Sequence, residues 1–162
     1  MASRSISADL PMLGVFVAAV AVVAVAGALF SPAVDPVWYA GLSKPSFNPP
    51  NWVFAPVWTT LYVLIALSAW LVWRRAGWTG GGRALSWWFA QLALNAAWTP
   101  VFFGVHRIGL ALAIIVALLV AIIGTIAAFR RHHALAAAML LPYLAWVGFA
   151  TILNASIWRL NA

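Results

Sequence analysis

Five stretches of the chain carry neither a charged residue nor a histidine: 10–34, 45–73, 84–105, 108–129 and 134–158. About 20 apolar residues cross a hydrocarbon core of ~30 Å as a helix, so each stretch is long enough to span a bilayer. Runs such as LALAIIVALLV, from Leu110 to Val120, lack the alternation that a transmembrane β-strand needs. The pattern predicts an all-α integral membrane protein whose 162 residues form a single domain, a five-transmembrane-helix bundle. The helices are expected at 9–30, 49–75, 83–105, 108–130 and 133–158, with a lid-like loop at 31–48.

Composition agrees with this and narrows the chemistry. Hydrophobic residues make up 66% and charged residues 7%, against about 25% charged in a soluble domain. A soluble enzyme, a coiled coil and a disordered chain are thereby excluded. No cysteine is present, so disulfides, thiolate metal sites and cysteine nucleophiles are excluded as well. The net charge of +7 rests on only two acids, Asp9 and Asp35. In a membrane protein that balance reads as loop charge facing anionic lipid, and no nucleic-acid partner is expected.

Arg4 before an apolar run, with Ala24-Val-Ala26 behind it, has the outline of a signal peptide. The uncharged run exceeds the 7–15 residues of an h-region, however, and reads as a span. With five spans, Arg4, Arg74, Arg75, Arg83, Arg130 and Arg131 share one side, and Lys44, Arg107 and Arg159 the other. This favours a cytoplasmic N-terminus if the host is the inner membrane of a bacterial envelope; the count does not decide between inner and outer membrane. No internal repeat is visible, and no charged residue falls well inside a span, which argues against an ion-coupled transporter. His106 and the His132-His133 pair sit at helix boundaries, where capping is the simpler reading and no metal site is expected.

The longest connection, SPAVDPVWYAGLSKPSFNPP over 31–50, holds five of the nine prolines. It also places Trp38 and Tyr39 at the membrane surface, either as an interfacial belt or as a lid over a site. Pro56, Pro100 and Pro142 are expected inside helices, where each frees a carbonyl four residues back and helps neighbouring helices to splay. Trp70, Trp73, Trp78 and Trp158 lie near span ends and read as interfacial anchors.

At 100° per residue, Trp88, Asn95, Trp98 and Phe102 fall within roughly 60° of Gln91, so the third span has an amide–aromatic face. Ala90, Ala93, Ala97 and Gly104 form a separate small-residue face, suited to close approach of another helix or a second subunit. Gln91 and Asn95 serve either as interhelical hydrogen-bond partners or as ligand contacts. Trp58, Tyr62 and Ile65 share a face of the second span, as Tyr143, Trp146, Ala150 and Leu153 or Asn154 do in the fifth. Converging these faces would enclose indoles, phenols and amides without fixed charge, a lining suited to a flat apolar ligand.

One ordered string of residues goes further. Trp38-Tyr39, Lys44-Pro45, Phe47-Asn48-Pro49-Pro50 and Trp52 to Tyr62 lead it; Gln91, Asn95, Trp98, Pro100 and Phe102-Phe103-Gly104 follow, then Pro142-Tyr143, Trp146 and Asn154. From about residue 38 to 159 this resembles the TspO/MBR family of tryptophan-rich sensory and translocator proteins, the peripheral benzodiazepine receptor family. The resemblance implies a five-helix bundle, usually a homodimer, with a pocket closed by the loop after the first helix. Its ligands would be porphyrins such as protoporphyrin IX, or similar flat hydrophobic molecules, with no obligatory cofactor. By matching position, Tyr39, Pro49, Trp58, Asn95, Trp98, Trp146, Ala150 and Leu153 would line the pocket, joined by Tyr62, Gln91, Phe102 and Tyr143 from the faces above. Trp58 and Trp146 match the tryptophans implicated in light-dependent porphyrin breakdown by some bacterial relatives. The segment from Leu153 to Arg159 lacks the tyrosine of the animal sterol motif, which puts specific sterol binding in doubt.

Three functions are therefore weighed: a porphyrin-binding membrane sensor that regulates tetrapyrrole and stress responses, a photo-oxidative porphyrin-degrading activity, and a passive carrier of porphyrin or lipid. No acid–base pair or nucleophile constellation lies within the spans, so a conventional enzyme has no residues to use.

Overall fold

A computed structural model describes residues 6–31 and 35–162; Arg4, used above in the charge count, lies outside them. The elements are α1 (Ile6–Leu29), a short α2 (Pro36–Gly41) within the loop, and a helical stretch Phe54–Thr99 entered through a 3-10 turn at Asn51–Val53. That stretch is broken at Gly77 into α3 (54–76) and α4 (78–99). A wide π-turn (Pro100–Gly104), α5 (Ile108–Arg130), α6 (Ala134–Ala138) and α7 (Leu141–Asn161) complete the chain. The protein is an all-α integral membrane protein with five spans, α6 and α7 together making the fifth. Hydrocarbon offers no hydrogen-bond partner, so each span satisfies its backbone internally.

The spans alternate in direction. Asp9, near the start of α1, meets Arg74 at the end of α3, while Gly27 near the end of α1 approaches Thr99 at the end of α4. Gly124 leaves room for the Trp87 ring between α4 and α5, and Gly109 for the Trp158 ring between α5 and α7. An alanine Cβ at 124 would lie 2.8 Å from the indole, so this close helix approach depends on the missing side chain. The core holds Phe16, Ile65, Ala69, Val72, Trp88, Leu92 and Tyr143, with the Trp88 indole donating to the Ile65 carbonyl at 3.0 Å.

Several sequence expectations change. The connection expected at 76–82 is helical on both sides of one residue: Gly77, at φ 61°, adopts a left-handed backbone that favours glycine. Gly80 to Gly82 read as loop, yet they form the first turns of α4, because Gly81 is buried against Ala76 and Val72. Pro56 and Pro142 lie in the first turns of α3 and α7, where a missing N–H is tolerated, and not in helix interiors. Of these three prolines, Pro100 alters its span, widening it so that the Val105 N–H reaches the Pro100 carbonyl at 2.9 Å. Trp73 is buried in the core and is not an interfacial anchor.

The first helix, expected from residue 9, begins earlier, at Ile6, so Asp9 lies inside α1. The carboxylate is buried, accepts from Arg74 Nε at 2.9 Å, and its backbone carbonyl accepts from the Trp70 indole at 3.1 Å. The Arg74 guanidinium stacks 4.7 Å from the Trp70 ring, so one residue pair clamps α1 to α3. Removing the arginine leaves a buried carboxylate alone. Arg74→Gln is expected to destabilise the protein in detergent by about 2–3 kcal/mol, seen as a lowered Tm, while the exposed Arg75→Gln stays within about 0.5 kcal/mol of wild type.

Candidate ligand-binding site

Two buried amides join the helices around the centre of the bundle. Asn95 on α4 donates from Nδ2 to the Tyr143 hydroxyl oxygen on α7 at 2.9 Å, and the Tyr62 hydroxyl on α3 points at Asn95 Oδ1 from 3.5 Å. Three turns along α7, Asn154 Oδ1 accepts from the Trp98 indole at 3.1 Å, and its Nδ2 donates to the Ile108 carbonyl at 3.1 Å. Asparagine suits both places because one short side chain supplies an acceptor and donors in fixed opposition. Gln91, one turn before Asn95, is also buried, and its amide makes no hydrogen bond among the described residues.

The aromatic rings fill the space around these amides. Trp58 packs against Tyr62 with ring centres 5.2 Å apart and against Tyr143 at 6.2 Å; Trp98 stacks on Phe102 at 5.1 Å. Beside this cluster, α3 and α7 approach mainly through side chains, such as Phe54 against Trp146 at 5.8 Å. Between them runs an open groove of about 610 Å³ lined by Pro56, Val57, Thr60, Leu61, Pro142, Ala145, Trp146 and Phe149. None of these side chains is charged, and Thr60 turns its hydroxyl back onto the Pro56 carbonyl at 2.9 Å. The groove can therefore bury apolar surface and stack an aromatic plane, but it offers no fixed charge.

The loop after α1 is fastened over the same end of the bundle. Asp35 caps α2 by accepting from the Trp38 N–H at 3.1 Å. Trp38 then stacks on His106 at 4.0 Å and meets Phe102 edge-on, while Tyr39 meets Phe103. The Tyr39 hydroxyl donates to Asn48 Oδ1 at 3.2 Å, and burial pushes that phenol's pKa up. Lys44 lies over the Tyr39 ring at 4.5 Å. At the far end of the loop, Asn161 exchanges two hydrogen bonds with the Ser43 backbone, both 2.9 Å. Phe47 reaches Phe149, a groove residue, at 6.2 Å, so the loop touches the groove wall there.

Comparison with known proteins fits this architecture. Residues 16–159 match the TspO/MBR family. The chain belongs to the TspO/MBR family. It is 42% identical over 144 residues to tryptophan-rich protein TspO of Archaeoglobus fulgidus, covering 89% of this chain and 93% of that one. The tryptophan-rich sensory protein of Cereibacter sphaeroides is 43% identical over 146 residues, 90% of this chain and 89% of its own. The human translocator protein is 45% identical over 126 residues, 76% and 75% of the two chains.

Within this TspO/MBR chain, the residues expected to line one pocket divide into three places. Trp146 lies in the groove wall. Trp58, Tyr62, Asn95, Tyr143 and Ala150 sit in or against the core behind it, together with buried Gln91. Trp98, Phe102, Leu153 and Tyr39 form a second buried cluster under the loop, and Pro49 is half-buried at the loop's end. Of the small-residue face, Ala90 and Ala93 are exposed on the outside of α4, Ala97 is half-buried, and Gly104 faces the ring of Phe30, just after α1. Sequence reasoning missed Pro56, Thr60, Ala145 and Phe149 as groove residues; the i, i+4 spacing of Pro56 and Thr60 and of Ala145 and Phe149 was the available signal. It also missed His106 as the loop's stacking partner, for which nothing local gives a signal. The side chain of His133 caps α6 by accepting from the Ala136 N–H at 3.3 Å.

Interhelical hydrogen bonds in membranes contribute about 0.6 kcal/mol each on average, and Asn154 makes two. Asn154→Ala is therefore expected to lower stability by about 1–2 kcal/mol in a detergent melt. Asn161→Ala releases the loop without touching the core: amide exchange over 42–48 should accelerate while the helices keep their protection.

Proposed function

We propose that this TspO/MBR protein is a membrane receptor that takes flat hydrophobic molecules, tetrapyrroles such as protoporphyrin IX among them, into the groove between α3 and α7. The observation that carries this reading is the uncharged groove of about 610 Å³ with Trp146 and Phe149 in its wall and Phe47 of the loop at its end. Its size falls within the ~300–1,000 Å³ of small-molecule sites, and such sites are mostly apolar with a few polar groups that orient the ligand. Trp58, Tyr62, Asn95 and Tyr143 stand directly behind the wall, so an entering plane that displaces the Trp58 ring reaches the Asn95 amide and the two phenols. The names of the relatives, sensory and translocator proteins, support a signalling or carrier role. The side opening of the groove between two helices favours passive delivery from lipid as the second reading. Exposed Ala90 and Ala93 on α4 would serve a homodimer contact, and the excess of arginine on the N-terminal side places that side in the cytoplasm if the host membrane is an inner one.

Tryptophan emission during titration with protoporphyrin IX tests the site. Wild type should be quenched saturably, and Trp146→Ala should weaken binding about tenfold through lost stacking. Equal quenching curves for wild type and the Trp58→Phe/Trp146→Phe double variant would sink the assignment. Trp146 also places an oxidisable indole in the wall, which favours a photochemical reading of the same site. Illumination of the complex should then bleach the porphyrin absorbance faster than that of free porphyrin in detergent, with Trp146→Phe slowing it.

A further inference from the structure

At the opposite end of the molecule from the loop, the end of α3, the start of α4 and the end of α5 meet around an open pocket of about 400 Å³. Its lining is Arg75, Ala76, Gly80, Arg131 and His132. The lining thus combines two arginines and a histidine with two small residues. Both arginines are exposed and His132 is half-buried. The protein has two carboxylates to neutralise nine basic side chains, and both are engaged elsewhere. Asp9 is taken by Arg74, and Asp35 lies on the other side of the membrane beside His106. Among the described residues, neither Arg75 nor Arg131 has a carboxylate partner.

The recess also belongs to a helix start. Gly80 is in the first turn of α4, where amide N–H groups lack intrahelical acceptors and favour an anion. Guanidinium groups match tetrahedral oxyanions by paired hydrogen bonds, and small lining residues leave room for such a group to approach the backbone. The pocket opens where three membrane helices end, at the level of lipid headgroups, with exposed Trp78 and Leu135 near it in sequence to meet acyl chains. From this geometry we infer that Arg75, Arg131 and His132 form a phosphate-binding site, and that the phosphate is the headgroup of an anionic phospholipid. Its location, between α3, α4 and α5 on the N-terminal side, makes it independent of the groove between α3 and α7. Bound lipid there would bridge the Gly77 break to the end of α5 and hold the three helix ends together.

Charge alone would also attract anionic lipid, so the test is built on charge-matched variants. The full chain is reconstituted in phosphatidylcholine nanodiscs containing a minor fraction of phosphatidylglycerol, and lipid retained after detergent extraction is identified by native mass spectrometry. Wild type and Arg83→Gln/Arg130→Gln should retain phosphatidylglycerol about tenfold over phosphatidylcholine, and Arg75→Gln/Arg131→Gln should lose that preference. Both double variants remove the same charge from the same side, and circular dichroism checks that both stay folded. Equal loss in both, or no preference in wild type, overturns the lipid site. A second arm titrates inorganic phosphate into nanodiscs of phosphatidylcholine alone, followed by phosphorus NMR. Phosphate binding that Arg75→Gln/Arg131→Gln abolishes, without any lipid preference, supports the pocket and overturns the lipid as its source. Absence of both signals overturns the pocket itself.

Discussion

An amide in the middle of a bilayer has no water to fall back on, and the Asn95 side chain resolves this by reaching across helices. Its Nδ2 meets Tyr143 on α7 and its Oδ1 faces Tyr62 on α3, so three spans share one polar point. Asn154 repeats the arrangement lower on α7, tying α4 through Trp98 and the start of α5 through the Ile108 carbonyl. Between helices in lipid there is little hydrophobic driving force, since the tails are as apolar as leucine. The register of α3, α4, α5 and α7 therefore depends on these few directional bonds and on the close approaches that glycine permits.

The groove follows from the same bonds. Bulky rings, and not small residues, fill the contact between α3 and α7: Phe54 against Trp146 and Trp58 against Tyr143. Rings of this size keep the two backbones apart, whereas Gly109 and Gly124 draw α5 against its neighbours. The bundle is thus tight on the α5 side and open on the α3–α7 side. An open groove arises there without any cavity being carved from the core. Its wall is aromatic because aromatic spacers hold the helices apart.

Charge is distributed by the opposite logic. Asp9 and Arg74 are drawn into the bundle as a pair, with Trp70 supplying both a hydrogen bond and a ring face. Burying either charge alone would cost several kcal/mol, while the pair with its extra hydrogen bond is tolerated. This removes the acid nearest the N-terminal membrane surface and leaves the remaining arginines there unneutralised. On the other surface the loop is fixed by weaker means: a stacked Trp38–His106 pair and the two Asn161 bonds to Ser43.

By itself the sequence determined that the chain lies in a membrane as five helices, because span length and lack of charge need no knowledge of neighbours. It also revealed the family, since the order of Trp, Pro and Asn from residue 38 onward is a property of the string. The amide–aromatic face of α4 was readable from the 100° periodicity, and Asn95, Trp98 and Phe102 do point into the bundle. Which of those faces met, and whether a ring packed against a neighbour or against open space, was decided only by tertiary structure. Tyr62, Asn95 and Tyr143 close on one another, and the open volume falls instead beside Trp146, Thr60 and Phe149. Periodicity assigns a residue to a side of its own helix, but it carries no distance between helices. Asp9 shows the same limit for charge: the sequence names it as one of two acids, and only its partner on α3 explains why it is buried.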